Sequence, residues 1–393
     1  MSRYRLEPTP AQETILRQHC AHARYVWNLA VEQQSWWRPG RASAPGYCAQ
    51  AAQLTEARAE QRWLASGSQM VQQQALRDFA QAMANFFAGT HRKPTWRKEG
   101  RDEGFRIVAV KPGHVRRLSR KTGQAWIPKA GWVRFRWSRT VPAAKSCRVT
   151  RDRAGRWHVA FAAIPEPVPA PGTGEVVGVD RGVVVSAALS TGELLHCPGL
   201  RPAERARLRR LQRRLARART GSHRRSGVKT AIARLRAREG DRRKDWAEQT
   251  STSLARRFDV IRIEDLRIAS MTRSARGTPA QPGRGVRQKA GLNRGILASG
   301  WGLLARRLED KAPGRIQKVN PAFTSQRCSA CGHVAADSRE SQALFRCTAC
   351  GYTCHADVNA ARNIAAGHAV AARGRSPLGG RVNREPQPLP LSA

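Results

Sequence analysis

The sequence predicts a chain that is part α/β and part β. A helical and antiparallel-barrel region comes first, and a second, mixed domain carrying a zinc ribbon follows. Three observations carry this. Between about residues 93 and 163 the apolar period changes to two: WVRFRW (Trp132 to Trp137) and RWHVAFA (Arg156 to Ala162) alternate apolar with polar or basic residues. After the proline-rich linker PEPVPAPGTG, the run EVVGVDRGVVVSAALSTGELL opens a second domain as a hairpin. Cysteines at 328, 331, 347 and 350 then form two Cys-x-x-Cys pairs separated by fifteen residues, the zinc-ribbon template.

The elements follow in order. Thr9-Pro10-Ala11-Gln12 is a helix start: Thr9 caps, Pro10 fits the first turn and Gln12 completes a capping box. Ile15, Leu16, Ala23, Val26 and Trp27 supply the apolar positions of that helix. A second helix runs from about Ser66 to Phe87 through Val71, Leu76, Phe79 and Met83. The period-two strands and the linker follow, then the hairpin, with a tight turn between Ser190 and Glu193. Residues 201–257 read as an arginine-rich helical pair broken at Gly221-Ser222. Leu208, Leu211 and Leu215 share one face, and Val228, Ile232 and Leu235 another. FDVIRIEDL is a short strand, residues 272–294 a mobile basic loop, Trp301 to Lys311 an amphipathic helix, and RIQKVN a further strand. The tail from about residue 373, rich in Pro, Gly and Arg, is expected to be disordered.

Composition names the partner class. The 393 residues hold 71 Lys plus Arg against 28 Asp plus Glu, a net charge of +43. Solubility asks for a net charge of only about 2–8 on a small domain, so a merely solvated surface does not account for this excess. A field of that size attracts polyanions, and nucleic acid is the expected partner. The start MSRYRLEPTP lacks the apolar core of a signal peptide, and no long apolar run follows. The expectation is a cytoplasmic, reduced protein with no membrane partner. Nine cysteines in that setting argue for metal or plain burial rather than disulfides. The scattered Cys20, Cys48, Cys147 and Cys197 read as small buried residues.

The two knuckles carry the first piece of chemistry. One turn puts both sulfurs of a pair on the same side, and Gly332 and Gly351 follow where the backbone must reverse. Four thiolates from Cys328, Cys331, Cys347 and Cys350 leave no open position, so a zinc ion held there is structural. Cys354 and His355 lie close by, but the even spacing of the four favours them as ligands.

The acids carry the second. Asp180 ends the strand VVGVD, on the side of Val176 and Gly178, and Glu264 ends VIRIE, on the side of Val260 and Arg262. Asp357 opens a helix whose Ala360, Ala361 and Ile364 form an apolar stripe, where a carboxylate is costly unless a cation meets it. Singly these are a turn residue, a solvated acid and a helix N-cap. As a set they suggest one site for Mg²⁺ or Mn²⁺, hard ions that prefer oxygen ligands. Convergence of the three is not written in their spacing.

GVDRGV, RIEDL, NRGILASGWGLL, NPAFTSQRCSACGH, FRCTACGY and ADVNAARNI occur in the order found in TnpB (OrfB) proteins of insertion sequences, which are similar to compact type V CRISPR effectors. YRLEPTPAQETILRQHCAHARYVWNLAV and GWVRFRW also resemble that family, so the likeness spans nearly the whole chain except the tail. It implies an RNase H-like (RuvC) nuclease domain over 173–322 and 355–372, interrupted by a zinc ribbon over 323–354. It further implies a wedge β-barrel over 1–12 and 88–170 with a helical recognition domain over 13–87. By the same resemblance Asp180, Glu264 and Asp357 are the catalytic triad holding Mg or Mn, and the four cysteines hold zinc. Many members read Asp-Arg-Asp before the Asn-Ala-Ala run, whereas this chain reads His355-Ala356-Asp357, keeping the later, catalytic acid.

The activity implied is RNA-guided DNA cleavage. A guide RNA from the transposon end pairs with the target strand of double-stranded DNA, beside a short motif that the protein reads. Base pairing then carries the sequence, and the protein supplies a basic channel. The arginine helices at 201–245 and the loop at 272–294 are candidates for that channel. Trp36, Trp37 and Trp96 are weighed as base-stacking residues, although tryptophans of this kind are more often core. A guided DNA-binding or transposition accessory factor without cleavage would need a broken triad. A strand-transfer transposase would need a tyrosine nucleophile, and neither Tyr4 nor Tyr25 sits near a His-rich motif. A passive zinc-ribbon RNA-binding protein leaves the strand-end acids unexplained.

Overall fold

The computed structural model describes residues 2–367 apart from Pro39, Arg41, Ala42, Asp102, Ile164 and Pro165; the tail expected to be disordered lies outside the described residues. The chain divides into two compact units, Met1–Pro165 with Leu200–Gly240, and Glu166–Gly199 with Asp241–Ala393.

The first unit opens with β1 (Ser2–Glu7) and four helices: α1 (Pro10–Ser35), α2 (Tyr47–Glu60), α3 (Arg62–Ala65) and α4 (Gln69–Phe87). The capping box at Thr9 and Gln12 is formed. Strands β2 (Gly104–Val108), β3 (Val115–Arg117), β4 (Thr122–Ile127), β5 (Gly131–Arg136), β6 (Ser146–Arg151) and β7 (Trp157–Phe161) follow. They join β1 in one antiparallel ladder, β2-β6-β7-β1-β5-β4-β3. The first strand therefore lies mid-sheet, and the four helices are an insertion between it and β2. Alternation sets the inner face: Val133 and Phe135 of β5 and Val149 of β6 are buried, in one core with Leu16, Val26, Leu76 and Phe79. Asp78 of α4 accepts from Arg148 at 2.6 Å and pairs with Arg106 at 3.2 Å, fixing the helix to the sheet.

Two expectations about this unit fail. Cys48 is exposed, because α2 turns Gln50 and Leu54, one helical repeat apart, inward. Trp36, Trp37 and Trp96 are exposed rather than core; the first two follow the end of α1, beyond its last buried residue, Ala30.

The second unit begins with β8 (Val176–Asp180), β9 (Ala187–Leu189) and β10 (Leu194–Leu195). Leu200–Gly240, which belongs to the first unit, holds α5 (Pro202–Arg217) and the first part of α6 (His223–Arg257), a hairpin zipped by Leu208, Leu211, Val228 and Leu235; the rest of α6 belongs to the second unit. Then come β11 (Val260–Glu264), α7 (Ile268–Met271), α8 (Val286–Ala298), α9 (Trp301–Lys311), β12 (Ile316–Val319), β13 (Leu344–Arg346), β14 (Thr353–His355) and α10 (Ala356–Ala366).

The segment 272–294 is not a loop throughout. From Val286 it is helix α8, whose Lys289 and Asn293, four residues apart, donate to the carbonyls of Met271 and Thr272 and pin the preceding segment. The stretch NRGILASGWGLL is two helices, parted at Gly300, whose φ of 75° ends the register of α8.

The sheet of this unit runs β10-β9-β8-β11-β12. β11 is parallel to β8 and to β12, and β9 is antiparallel to β8. Val177, Val179, Ile261 and Ile263 point to one face, into a core with Leu254, Phe258, Leu304 and Leu308. By alternation Gly178, Asp180, Arg262 and Glu264 face the other way, where α10 packs across β8, β9 and β11. Among the described residues no helix is long and apolar enough to cross a membrane.

Candidate functional site

The parallel register that sets Val179 beside Ile263 places Asp180 and Glu264 next in line, at the same ends of neighbouring strands. Arg181, 5% exposed, donates to the main-chain carbonyl of Glu264 and ties the two strand ends together. The third acid arrives on α10. Gly178 is what lets that helix seat: a Cβ there would overlap the carbonyl oxygen of Ala361 and the amide of Ala365. Arg262 donates to the Ala365 carbonyl from the same face. Asp357, in the first turn, thus stands over the strand ends, its Oδ2 3.8 Å from where a Cβ of Gly182 would lie. Asp357 is not the N-cap. His355 is, its Nδ1 accepting from the Asp357 amide at 3.2 Å.

Glu264 and Asp357 are 8% and 7% exposed. Thr324 donates to Glu264 Oε1 at 2.8 Å, and Arg339 to Asp357 Oδ1 at 2.9 Å. Burial, then the charges of Glu264 and Asp357, push the Asp180 carboxyl up to about 8, against the pull of Arg339. Burial also raises Glu264, against its Thr324 hydrogen bond and the Arg181 charge. Two buried carboxylates pressing on a third are what a divalent cation would relieve, and hard carboxylate oxygens suit Mg²⁺ or Mn²⁺. The type of these three residues suits such an ion, while among the described residues only the four cysteines are drawn close enough together to hold a metal.

The four cysteines form the second site. Their sulfurs lie within 4.8 Å of one another, with Cys328 to Cys350 at 3.8 Å and Cys331 to Cys347 at 3.6 Å. A tetrahedron with metal–sulfur bonds of about 2.3 Å has edges of roughly 3.8 Å, so the cage has the size that zinc needs. Each knuckle closes by its glycine: Gly332 and Gly351, φ 78° and 72°, donate to the carbonyls of Cys328 and Cys347 at 2.9 and 3.0 Å. The backbone N–H of Cys350, then that of Ala349, hold the Cys347 thiol down to about 6, toward the thiolate a metal requires. Cys354 and His355 belong instead to β14.

The two sites share a wall that the sequence reading missed. Asn359 is fully buried: its Oδ1 accepts from the Ser329 amide at 2.9 Å and its Nδ2 donates to the Arg327 carbonyl at 2.7 Å. Asn363 donates to the carbonyls of Thr324 and Arg327, at 3.0 and 2.6 Å. The signal was there, as two asparagines four residues apart on an otherwise alanine-rich helix. Arg181, Thr324 and Arg339 carry no comparable mark.

An α/β unit with helices on both faces of its sheet, acids at its strand ends and a four-cysteine ribbon against α10 defines a class of nucleic-acid-acting protein. Comparison with known proteins gives the family. Residues 158–275 match the OrfB_IS605 profile, described as a probable transposase, and 301–364 match the TNB domain of Cas12f1-like proteins. Residues 2–41 match a profile described as a helix-turn-helix domain, although the described residues of that stretch hold β1 and α1. A protein of Escherichia coli K12, provisionally named RNA-guided DNA endonuclease InsQ, is 36% identical over 98% of this chain and 96% of its own length. A Streptomyces pristinaespiralis protein, provisionally named RNA-guided DNA endonuclease, is 33% identical over 95% of this chain and 90% of its own. The chain belongs to the TnpB (OrfB) family of insertion-sequence proteins. Its fold is similar to that of the protein in the cryo-EM structure of a Cas12f1–sgRNA–target DNA complex, with a TM-score of 0.56 and 15% identity over 91% of this chain and 83% of that one.

Proposed function

We propose that this protein is an RNA-guided DNA endonuclease of an insertion sequence, hydrolysing DNA phosphodiesters at Asp180, Glu264 and Asp357. The observation that carries the reading is the placing of these three carboxylates at one end of β8 and β11 and the first turn of α10. Relatives that match this chain over nearly its full length carry the same activity in their names. In this reading 173–322 and 355–372 form a RuvC-like nuclease domain and 323–354 a zinc ribbon. Residues 1–12 and 88–170 form the wedge region, and 13–87 the guide- and target-recognition helices. A transposon-end RNA selects the target by pairing, beside a short motif in the DNA.

Asp180, Glu264 and Asp357 would hold Mg²⁺ or Mn²⁺, whose chemistry would be to activate a water and neutralise the leaving oxygen. The residues of this chain hold the geometry. Thr324 orients Glu264, Arg181 fixes the strand ends, and His355 caps the turn that carries Asp357. Arg339, paired with Asp357, brings positive charge to the acids. Zinc at Cys328, Cys331, Cys347 and Cys350 is structural, fixing the ribbon against α10.

The test is cleavage of guide-matched DNA by the protein purified with co-expressed RNA, with Mg²⁺ present. The wild type cuts, and Asp180→Ala loses at least about 100-fold, since losing even an outer support of a metal ligand costs about 10–100-fold. Tight guide-dependent binding without cutting makes the protein a guided binder instead. Full activity of Asp180→Ala moves the site elsewhere.

A further inference from the structure

Phe323 lies in the left-handed region, φ 62°, where a bulky side chain is an outlier and glycine is favoured. Phe323 is 56% exposed, so core packing does not offset the strain. The turn that imposes the conformation is held from several sides. The Phe323 carbonyl accepts from the amides of Gln326 and Arg327, both at 3.0 Å, and Ala322 donates to Asn320 Oδ1 at 3.0 Å. The next residue is Thr324, whose hydroxyl holds Glu264 and whose carbonyl is held by Asn363. An exposed aromatic ring is thus fixed one residue from a group bonded to the acid cluster. Backbone strain without a packing return, beside a reactive centre, is a mark of function.

We infer that Phe323 is a substrate-positioning residue: its ring stacks on a base of the DNA strand that lies across Asp180, Glu264 and Asp357, and so orients the phosphate to be cut. This rests on the nuclease reading above. Stacking suits such an enzyme because every base has a π-face, so the contact is blind to sequence, which pairing with the guide already reads.

The test uses the guide-loaded full chain with matched DNA and follows single-turnover cutting, target affinity and thermal midpoint. In Phe323→Ala and Phe323→Gly cutting slows at least about fivefold, the low end of one lost base–aromatic stack, and Phe323→Trp restores it. Target affinity stays unchanged, because guide pairing sets it. The thermal midpoint of Phe323→Gly equals or exceeds that of the wild type, because glycine relieves the left-handed turn. A merely structural role would lower midpoint and activity together. Single abasic sites are then placed along the cut strand. At one position the missing base slows the wild type as much as Phe323→Ala does and slows the variant no further. The inference is overturned if Ala and Gly cut within about twofold of wild type, or if abasic and protein effects multiply at every position. Asp180→Ala, run in parallel, separates this failure from failure of the site: if it cuts like the wild type, the acid cluster is not the centre and the inference falls with it.

Discussion

At the scale of single residues, the buried amides on α10 are where side-chain chemistry holds the site together. Asn359 sits between the first cysteine knuckle and the helix that carries Asp357, with both ends of its amide used. Asn359→Ala leaves the Ser329 amide without that acceptor, a loss of about 1–3 kcal/mol where no water replaces it, while the Arg327 carbonyl keeps its bond from Asn363. The expected outcome is a lower midpoint in chemical unfolding and faster zinc release to a chromogenic chelator. A variant that keeps both at wild-type values would show that the ribbon docks by other contacts. A second residue sets an acid limit on the first unit. Burial, then the charge of Arg3, pulls His158 down to about 4 from an ordinary value near 6.5, and His19 and His22 are lowered too, in each case first by burial. A base whose folded value is depressed takes up its proton more readily unfolded. Its contribution is therefore present above about pH 6.5 and is lost as pH falls toward 4, up to about 3 kcal/mol for His158. Unfolding midpoints measured between pH 7 and 4 should fall through that window, and His158→Gln should flatten the slope. An unchanged slope in that variant would assign the loss to other groups.

At the scale of elements, the decisive contact is a helix lying directly on a strand. α10 approaches β8 closely at Gly178, where no side chain fits. Gly178→Ala forces main chain against main chain, and neither partner can rotate away. The expected cost is at least the roughly 1–3 kcal/mol of an overpacked core, with cleavage falling because Asp357 is displaced from Asp180 and Glu264. Thermal unfolding and cutting read together check this, and an active, equally stable Gly178→Ala would mean that the helix can shift without cost. The same contact shows what could be read in advance. Alternation along VVGVD and VIRIE already put Gly178 and Asp180 on one face, and Arg262 and Glu264 on one face, which the sheet bears out. The capping box, the hairpin turn and the Trp301 to Lys311 helix are equally local and were equally visible. What stayed hidden depends on distant partners. Nothing near Thr324 or Arg339 in sequence marks them as neighbours of Glu264 and Asp357, 60 and 18 residues away. Helix α8 was masked by its own glycines and arginines, its order coming from Lys289 and Asn293 reaching back to carbonyls of the preceding segment.

At the scale of the whole molecule, charge governs behaviour. If every one of the 28 acids paired with a base, 43 of the 71 Lys and Arg would still lack a partner. Much of the excess is displayed rather than buried: α5 turns Leu208 and Leu211 inward and leaves Arg207, Arg209, Arg210, Arg213, Arg214 and Arg217 exposed. Such a surface repels itself, and two agents relieve it. Salt does so by screening, with a Debye length falling from about 10 Å at 0.1 M to about 3 Å at 1 M. A polyanion does so by binding, and it also stabilises the fold by mass action. The two act in opposite directions on the complex. The RNA-free protein should therefore unfold at a higher temperature as salt rises from about 0.1 to 1 M. Its affinity for the guide RNA should fall over the same range, with a log–log slope of about −0.7 to −0.9 for each phosphate neutralised. A complex touching on the order of ten phosphates would then show a slope of roughly −7 to −9. Calorimetry of the free protein and filter binding of the RNA separate the effects. A free protein indifferent to salt would mean that the exposed arginines are too far apart to strain the fold. A shallow RNA slope would mean that shape and stacking, not phosphate contacts, hold the guide.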